Sequence, residues 1–452
     1  MIDPKELLLG TKEHSEEDYS AAETYCKGYM EYLNAGKTER ECVKETIKIL
    51  EKNGFKPFEA GKEYKTGDKV YKNHRNKSIF ALKVGENKNG VKIVAAHIDS
   101  PRLDLKIKPL YEDTDLAFFK THYYGGIKKY QWVALPLALH GVIVKKNGET
   151  IDVVLGENET EPCFAITDLL PHLGEEQSKR TLSDGIRGEE LNVLIGSIPF
   201  KTDEKSEKVK LNIISLLNQK YGIVEGDFFS AELCLVPAFK AREIGFDCSM
   251  IGSYGHDDRV CAYPAITALL EMDERNSGLL VLADKEEIGS EGNTGLNSSA
   301  LEFFLNDIAL SLKCDALDFI RASEAISSDV TAAYDPTFSS VYDKLNSSFL
   351  SKGVAIMKYT GARGKYDTSD ASAEFCGKIR NILDSNEVEW QTCELGKVDA
   401  GGGGTVAKYI ASLDMDVIDV GVPVLSMHSP FEIASKLDIL SAHKAFVAFL
   451  NN

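Results

Sequence analysis

At 452 residues the chain is too long for one compact core, which points to two domains or to one domain carrying a large insert. Its formal charge of -18, from 52 basic and 70 acidic residues, gives no electrostatic footprint for nucleic acid or an anionic lipid surface. The nine cysteines are scattered without a Cys-x-x-Cys pair; this argues against a disulfide framework or a thiolate zinc knot and reads as reduced thiols in a cytoplasmic protein.

Met1 to Gly10 lacks the basic region, apolar stretch and small-residue cleavage site of an export signal, and no apolar run reaches the roughly 18 residues a membrane helix needs. Two helices are then expected. Tyr19, Ala22, Cys26, Tyr29 and Leu33 recur at three and four residues, an apolar stripe ending near Gly36. The second helix starts at a capping box, Thr38 with Glu41, carries Val43, Ile47 and Leu50, and stops at Gly54. Both stripes read as core-facing.

Ile93-Val94-Ala95-Ala96 is a continuous apolar strand, as in a sheet covered on both faces, and His97 sits at its carboxyl end. Ligands in open α/β sheets bind at such ends. From about 103 to 238 the texture changes to alternation, Leu103, Leu105 and Ile107 against Asp104, Lys106 and Lys108, with further short β-rich runs at 142–144, 151–155, 192–199 and 229–237. The segment is expected to be an antiparallel insert, with Lys201 to Lys208 as a solvated loop in it. After about 240 the α/β rhythm returns: a helix near 260–273, strands at 279–283, 324–328, 353–358 and 416–420, and a final amphipathic helix near 435–450. The parts 1–102 and 239–452 would form one α/β domain split by the insert.

Several of these strands end on residues that bind metals: Ala95-Ala96-His97-Ile98-Asp99, Asp284-Lys285-Glu286-Glu287 and Leu425-Ser426-Met427-His428. A two-metal hydrolytic site needs imidazole and carboxylate ligands, one ligand bridging both ions, and open positions for water and substrate. His97, Asp257, Glu287, Asp329 and His428 meet that need in number and type. Asp99 is placed to accept the second N–H of His97. Glu286 and Glu287 can divide two jobs, one binding metal and the other taking the proton of the attacking water.

Taken singly, each signal also has a plainer reading. A histidine after a strand is more often a satisfied core or surface residue, and Asp257-Asp258-Arg259 could be the N-cap of the helix that follows. Gly401 to Gly404 with Thr405 lacks the lysine of a phosphate loop and reads as a close-approach loop lining the pocket. His14, His74, His122, His140, His256 and His443 have no motif around them and read as structural or exposed.

His97-Ile98-Asp99-Ser100-Pro101, Tyr124-Gly125-Gly126, Gly255-His256-Asp257-Asp258-Arg259, Asp284 to Ser290, Ser328-Asp329 and Pro423 to Ser429 together resemble, in order and across nearly the whole chain, the signatures of the aspartyl aminopeptidase and vacuolar aminopeptidase I family. The resemblance implies a mixed-sheet α/β zinc-exopeptidase domain interrupted by a β-rich dimerisation insert. It implies a cytoplasmic aminopeptidase with two zinc ions, acting on short peptides and assembled as a tetrahedral homododecamer. It carries ligation to His97, Asp257 as the bridge, Glu287, Asp329 and His428, and the general base to Glu286, with a cis peptide after Asp257. Within Ile166 to Leu173, His172 takes the place of a histidine that reaches a neighbouring subunit's site or joins the metal residues. Lys358, Gly402 and Gly403 are the candidates for contacting substrate. The rival readings are a dinuclear deacylase of N-acyl amino acids, which would spare free-amine aminoacyl anilides, and a non-catalytic assembly protein, which would show broken ligands.

Overall fold

The computed structural model describes residues 14–203 and 206–452, so the reading of Met1 to Gly10 lies outside the described residues. The chain forms two compact units, one of 1–99, 241–427 and 431–452, the other of 100–240 and 428–430.

The first unit is built on a nine-stranded mixed sheet. In chain order its strands are β1 (Lys56–Pro57), β2 (Lys69–His74), β3 (Ser78–Lys83), β4 (Asn87–His97), β5 (Asn276–Ala283), β6 (Glu324–Ser327), β7 (Val354–Met357), β8 (Trp390–Thr392) and β9 (Asp416–Gly421). The order across the sheet is β1-β2-β3-β5-β4-β6-β9-β7-β8. The central strands β5, β4, β6 and β9 run parallel, and the alternation of their side chains serves two cores. Val94, Ala96, Leu280, Leu282, Ile326 and Ile418 face one helical layer, whereas Ile93, Ala95, Leu279, Val281, Ala325 and Val417 face the other. Strands covered on both sides thus carry apolar side chains to both faces, as the run at 93–96 implied.

The first layer contains α1 (Glu16–Ala35), α2 (Glu39–Lys52), α3 (His256–Glu271), α5 (Ala373–Ser385) and α6 (Lys436–Asn451); α4 (Ala300–Leu312) lies in the second. The Thr38–Glu41 capping box starts α2 as expected, with Thr38 and Glu41 exchanging backbone N–H bonds. Two expectations are corrected. Tyr19 does not continue the buried stripe of α1 but lies 49% exposed, the stripe taking in Tyr32 instead. The last helix is not amphipathic, because α6 buries residues all round, Asp438 and His443 among them.

A five-stranded sheet also belongs to this unit and pairs Met250–Ser253 with Glu432–Ser435, bringing Ser253 opposite Glu432. The second unit is a seven-stranded sheet whose pairings are all antiparallel, running from 150–155 at one edge to 165–166 at the other. Its helix Lys208–Tyr221 was missed. The apolar run of that helix is hard to tell from a strand by pattern alone.

Phe304 of α4 is fully buried and its ring meets those of Phe80 and Phe58 at 5.4 and 5.1 Å. Phe304→Ala is expected to destabilise the protein by about 3–5 kcal/mol, read as a lower denaturant midpoint; an unchanged midpoint would mean that this layer does not hold the sheet.

Candidate metal centre

Parallel pairing puts the ends of β4, β5 and β6 level: Ala283 pairs with His97, and Ser327 with Ala95. Loops leaving the three strands therefore share one edge. His97 is 1% exposed, and its Nε2 lies 3.1 Å from Asp257 Oδ1, 3.7 Å from Asp329 Oδ1 and 3.9 Å from Glu286 Oε2. Two groups of donors converge within 4.8 Å of one another, His97 with Asp257 and Glu287, and His97 with Asp258 and Asp329.

Each carboxylate has a local cause for its place. Asp99 is fully buried and accepts the backbone N–H groups of Glu286 at 3.1 Å and Glu287 at 3.2 Å, so it shapes the turn bearing both glutamates. The ring Nδ1 of His97 lies 3.1 Å from the Asp99 carbonyl oxygen, closer than the 3.4 Å to its carboxylate. Lys285 and Gly289, at φ +68° and +91°, begin and end that turn. The N–H of Ser328 donates to Ala95 O at 2.6 Å, fixing the chain just before Asp329. A Cβ on Gly421 would come within 1.6 Å of the Asp329 carbonyl oxygen, so β9 can pass there only as glycine.

Asp257 and Asp258 start α3, joined by a cis peptide, with backbone angles outside the helical range. The N-cap of this helix is Gly255 and no side chain caps it, so the N-cap reading of Asp257-Asp258-Arg259 does not hold. Asp258 Oδ2 accepts the N–H of His97 at 3.2 Å, and the N–H of Asp257 donates to Glu432 Oε2 at 3.0 Å. The sequence reading gave Asp258 no role of its own, and nothing local to Glu432 or Gly421 marked them.

So many acids in one buried place repel. Burial, then Asp329, holds the Asp258 carboxyl well above its usual range, and the same two causes raise Glu286. Asp419, bonded by Ser327 and Thr405 at 2.7 Å each, is pushed up to about 7 by burial. Burial works against protonation of His97, yet its hydrogen bonds to Asp257, Asp329 and Asp99 prevail and raise it well above the ordinary imidazole value. Asp258 Oδ1 is buried with no hydrogen-bond partner among the described residues. Bound cations relieve these conditions together, since they replace repulsion by attraction and offer open carboxylate oxygens a partner. Imidazole with carboxylates is a donor set suited to zinc.

His428 falls in the second unit, with its Nδ1 2.8 Å from Gly126 O, and His172 is exposed in the short turn Pro171–Leu173 of that unit. Lys358 follows β7, which runs antiparallel to β9, and its Nζ pairs with Asp370. Gly402, at φ +114°, packs against the chain at Gly361, where a Cβ would lie 2.0 Å from the carbonyl oxygen. The apposition of two loops explains that glycine, with Gly403 beside Leu395.

Comparison with known proteins agrees with this donor set. The family model described as aminopeptidase I zinc metalloprotease (M18) matches residues 32–450. A Clostridium acetobutylicum protein named "Probable M18 family aminopeptidase 1" is 51% identical, covering 96% of this chain and 97% of its own. The crystal structure of a Thermotoga maritima M18 aminopeptidase superposes with a TM-score of 0.94 at 44% identity, over 98% of this chain and 100% of its own. The S. cerevisiae mApe1 dodecamer shares the fold, at a TM-score of 0.76 and 19% identity over 95% and 97% of the two chains.

Gly421→Ala should displace Asp329 and weaken zinc binding by about 10–100-fold, the range for groups that orient metal ligands. Chelator competition measures it, and native affinity in a folded variant would show that β9 does not position Asp329.

Proposed function

The chain belongs to the aminopeptidase I zinc metalloprotease (M18) family, and on that premise we propose how this zinc aminopeptidase works. Two zinc ions would be held by His97, Asp257, Glu287, Asp329 and His428, with His172 joining these residues or reaching the site of a neighbouring copy. When bound, they supply Lewis acidity, polarising the scissile carbonyl and acidifying the attacking water. Glu286 takes the proton of that water and passes it to the leaving amine. Asp99, through its bonds to the backbone of 286 and 287, keeps Glu286 aimed while Glu287 ligates. The free α-amine of the peptide is anchored by carboxylates of the site, and Lys358, Gly402 and Gly403 border the bound residue.

The observation that carries this reading is the convergence on one imidazole of carboxylates from three further segments. Glu286 supports it as a half-buried acid 3.9 Å from that imidazole, its backbone N–H held by Asp99.

In the same reading the natural substrates are short peptides, the 103–238 insert carries self-association, and the assembly is a tetrahedral homododecamer in the cytoplasm. Ile107, Leu173, Leu182 and Phe229 of the second unit, 68–81% exposed on the single chain, support self-association, as does the dodecamer formed by the S. cerevisiae relative. No described helix is long and apolar enough to cross a membrane.

Glu286→Gln should lower kcat on aminoacyl anilides by at least about 100-fold while two zinc ions remain bound; undiminished turnover would remove Glu286 as the base. For the wild-type enzyme, a panel of Asp, Glu, Leu and Lys anilides assigns the preferred first residue. Cleavage of N-acyl amino acids with every anilide left intact would replace the peptidase mechanism by a deacylase.

A further inference from the structure

The turn Gly255–Arg259 presents Asp257 and Asp258, and it is held from three directions. His256 is fully buried, its Nδ1 2.7 Å from the Tyr29 hydroxyl of α1 and its Nε2 3.0 Å from Ile251 O. Glu432 accepts the N–H of Asp257. The third hold is a guanidinium. Arg259 is 1% exposed; its Nη2 donates to Lys37 O at 2.8 Å, its Nη1 to Gly255 O at 3.3 Å and its Nε to Cys42 Sγ at 3.2 Å. The ring of Tyr254 lies 5.5 Å from its central carbon.

Burying a guanidinium costs several kcal/mol, and its rigid fork can fix several acceptors relative to one another, as a flexible cation cannot. Here the acceptors are the carbonyl two residues before Asp257, a carbonyl in the turn between α1 and α2, and a thiol in the first turn of α2. Asp257 (φ -78°, ψ 107°) and Asp258 (φ -114°, ψ 25°) depart from helical geometry. Regular helical bonding therefore does not fix this end of α3, and external contacts must.

We propose that Arg259 is a positioning residue for Asp257 and Asp258, with the Cys42 sulfur as one of its acceptors, so that the two N-terminal helices set the geometry of the zinc donors. The inference deepens the zinc aminopeptidase reading and rests on it. Burial raises the Cys42 thiol against the opposing pull of Arg259, which suits a neutral sulfur that receives a hydrogen bond.

The test titrates zinc into the metal-stripped full-length protein against a competing chelator, with kcat, KM and far-ultraviolet dichroism measured on the same samples. Arg259→Met should weaken zinc binding and lower kcat by about 10–100-fold, with KM changed by no more than about 3-fold. Arg259→Lys, which can still reach one carbonyl, should fall between that variant and the native protein. Cys42→Ser keeps an acceptor and should stay within about 3-fold of native affinity, whereas Cys42→Ala should lose about 10-fold. A folded Arg259→Met with native zinc affinity and kcat would overturn the proposal, even if it melts at a lower temperature. Should neither arginine variant fold, equal and native affinities in Cys42→Ala and Cys42→Ser overturn it. A wild-type chain that binds no zinc sinks the aminopeptidase mechanism as well, which separates the two failures.

Discussion

Crowding buried carboxylates around one imidazole is the condition to which the rest of this structure answers. Two like charges 4 Å apart repel by about 4 kcal/mol at an effective dielectric near 20. A hydrogen bond to a charged group returns about 1.5–3 kcal/mol. The two backbone N–H groups on Asp99, or the serine and threonine hydroxyls on Asp419, can thus offset about one repulsive neighbour. Asp258, facing Asp329 and Asp257 while buried, has more than that to offset, and the arrangement is at ease only with cations among its oxygens.

Such a cluster must be over-determined, because every member would relax outward if free. The scaffold achieves this with backbone placement and, at the turn of Asp257 and Asp258, with the side chains of Glu432 and Arg259. Parallel pairing levels the ends of β4, β5 and β6, Gly421 lets β9 pass close against Asp329, and the turn at 286–287 hangs from Asp99. The helices α1 and α2, whose apolar stripes look like plain packing, also supply Tyr29, Cys42 and the Lys37 carbonyl to the turn that carries the aspartates. Core and site are one construction here: the helices that bury the sheet also hold the turn of Asp257 and Asp258.

Much of this is legible in the sequence because local rules act there. Strand-end residues such as His97 and Glu287 announce themselves by following apolar runs, and the Thr38–Glu41 box marks α2 without help from tertiary context. Other features carry no local mark. Tyr19 fits its helical stripe yet faces outward, since the stripe says which side of a helix is apolar and not where the neighbouring helix ends. The final helix, with Asp438 and His443 in its pattern, reads as two-faced, but elements packed around it accept those polar groups: Asp438 takes the N–H of Ser351 and of Gly353.

The sequence by itself determined the residue types for a zinc hydrolase, the strands that deliver them and the β-rich texture of the insert, because periodicity and strand-end chemistry are properties of neighbours along the chain. Only the tertiary structure decided that Asp258 converges with Asp257 on one histidine, that Glu432 and Arg259 hold their turn, and that Lys358 leaves the sheet on a strand running the other way. Those outcomes depend on register and on contacts between segments some 60 to 220 residues apart, and separation on that scale is invisible to any pattern read over a few residues.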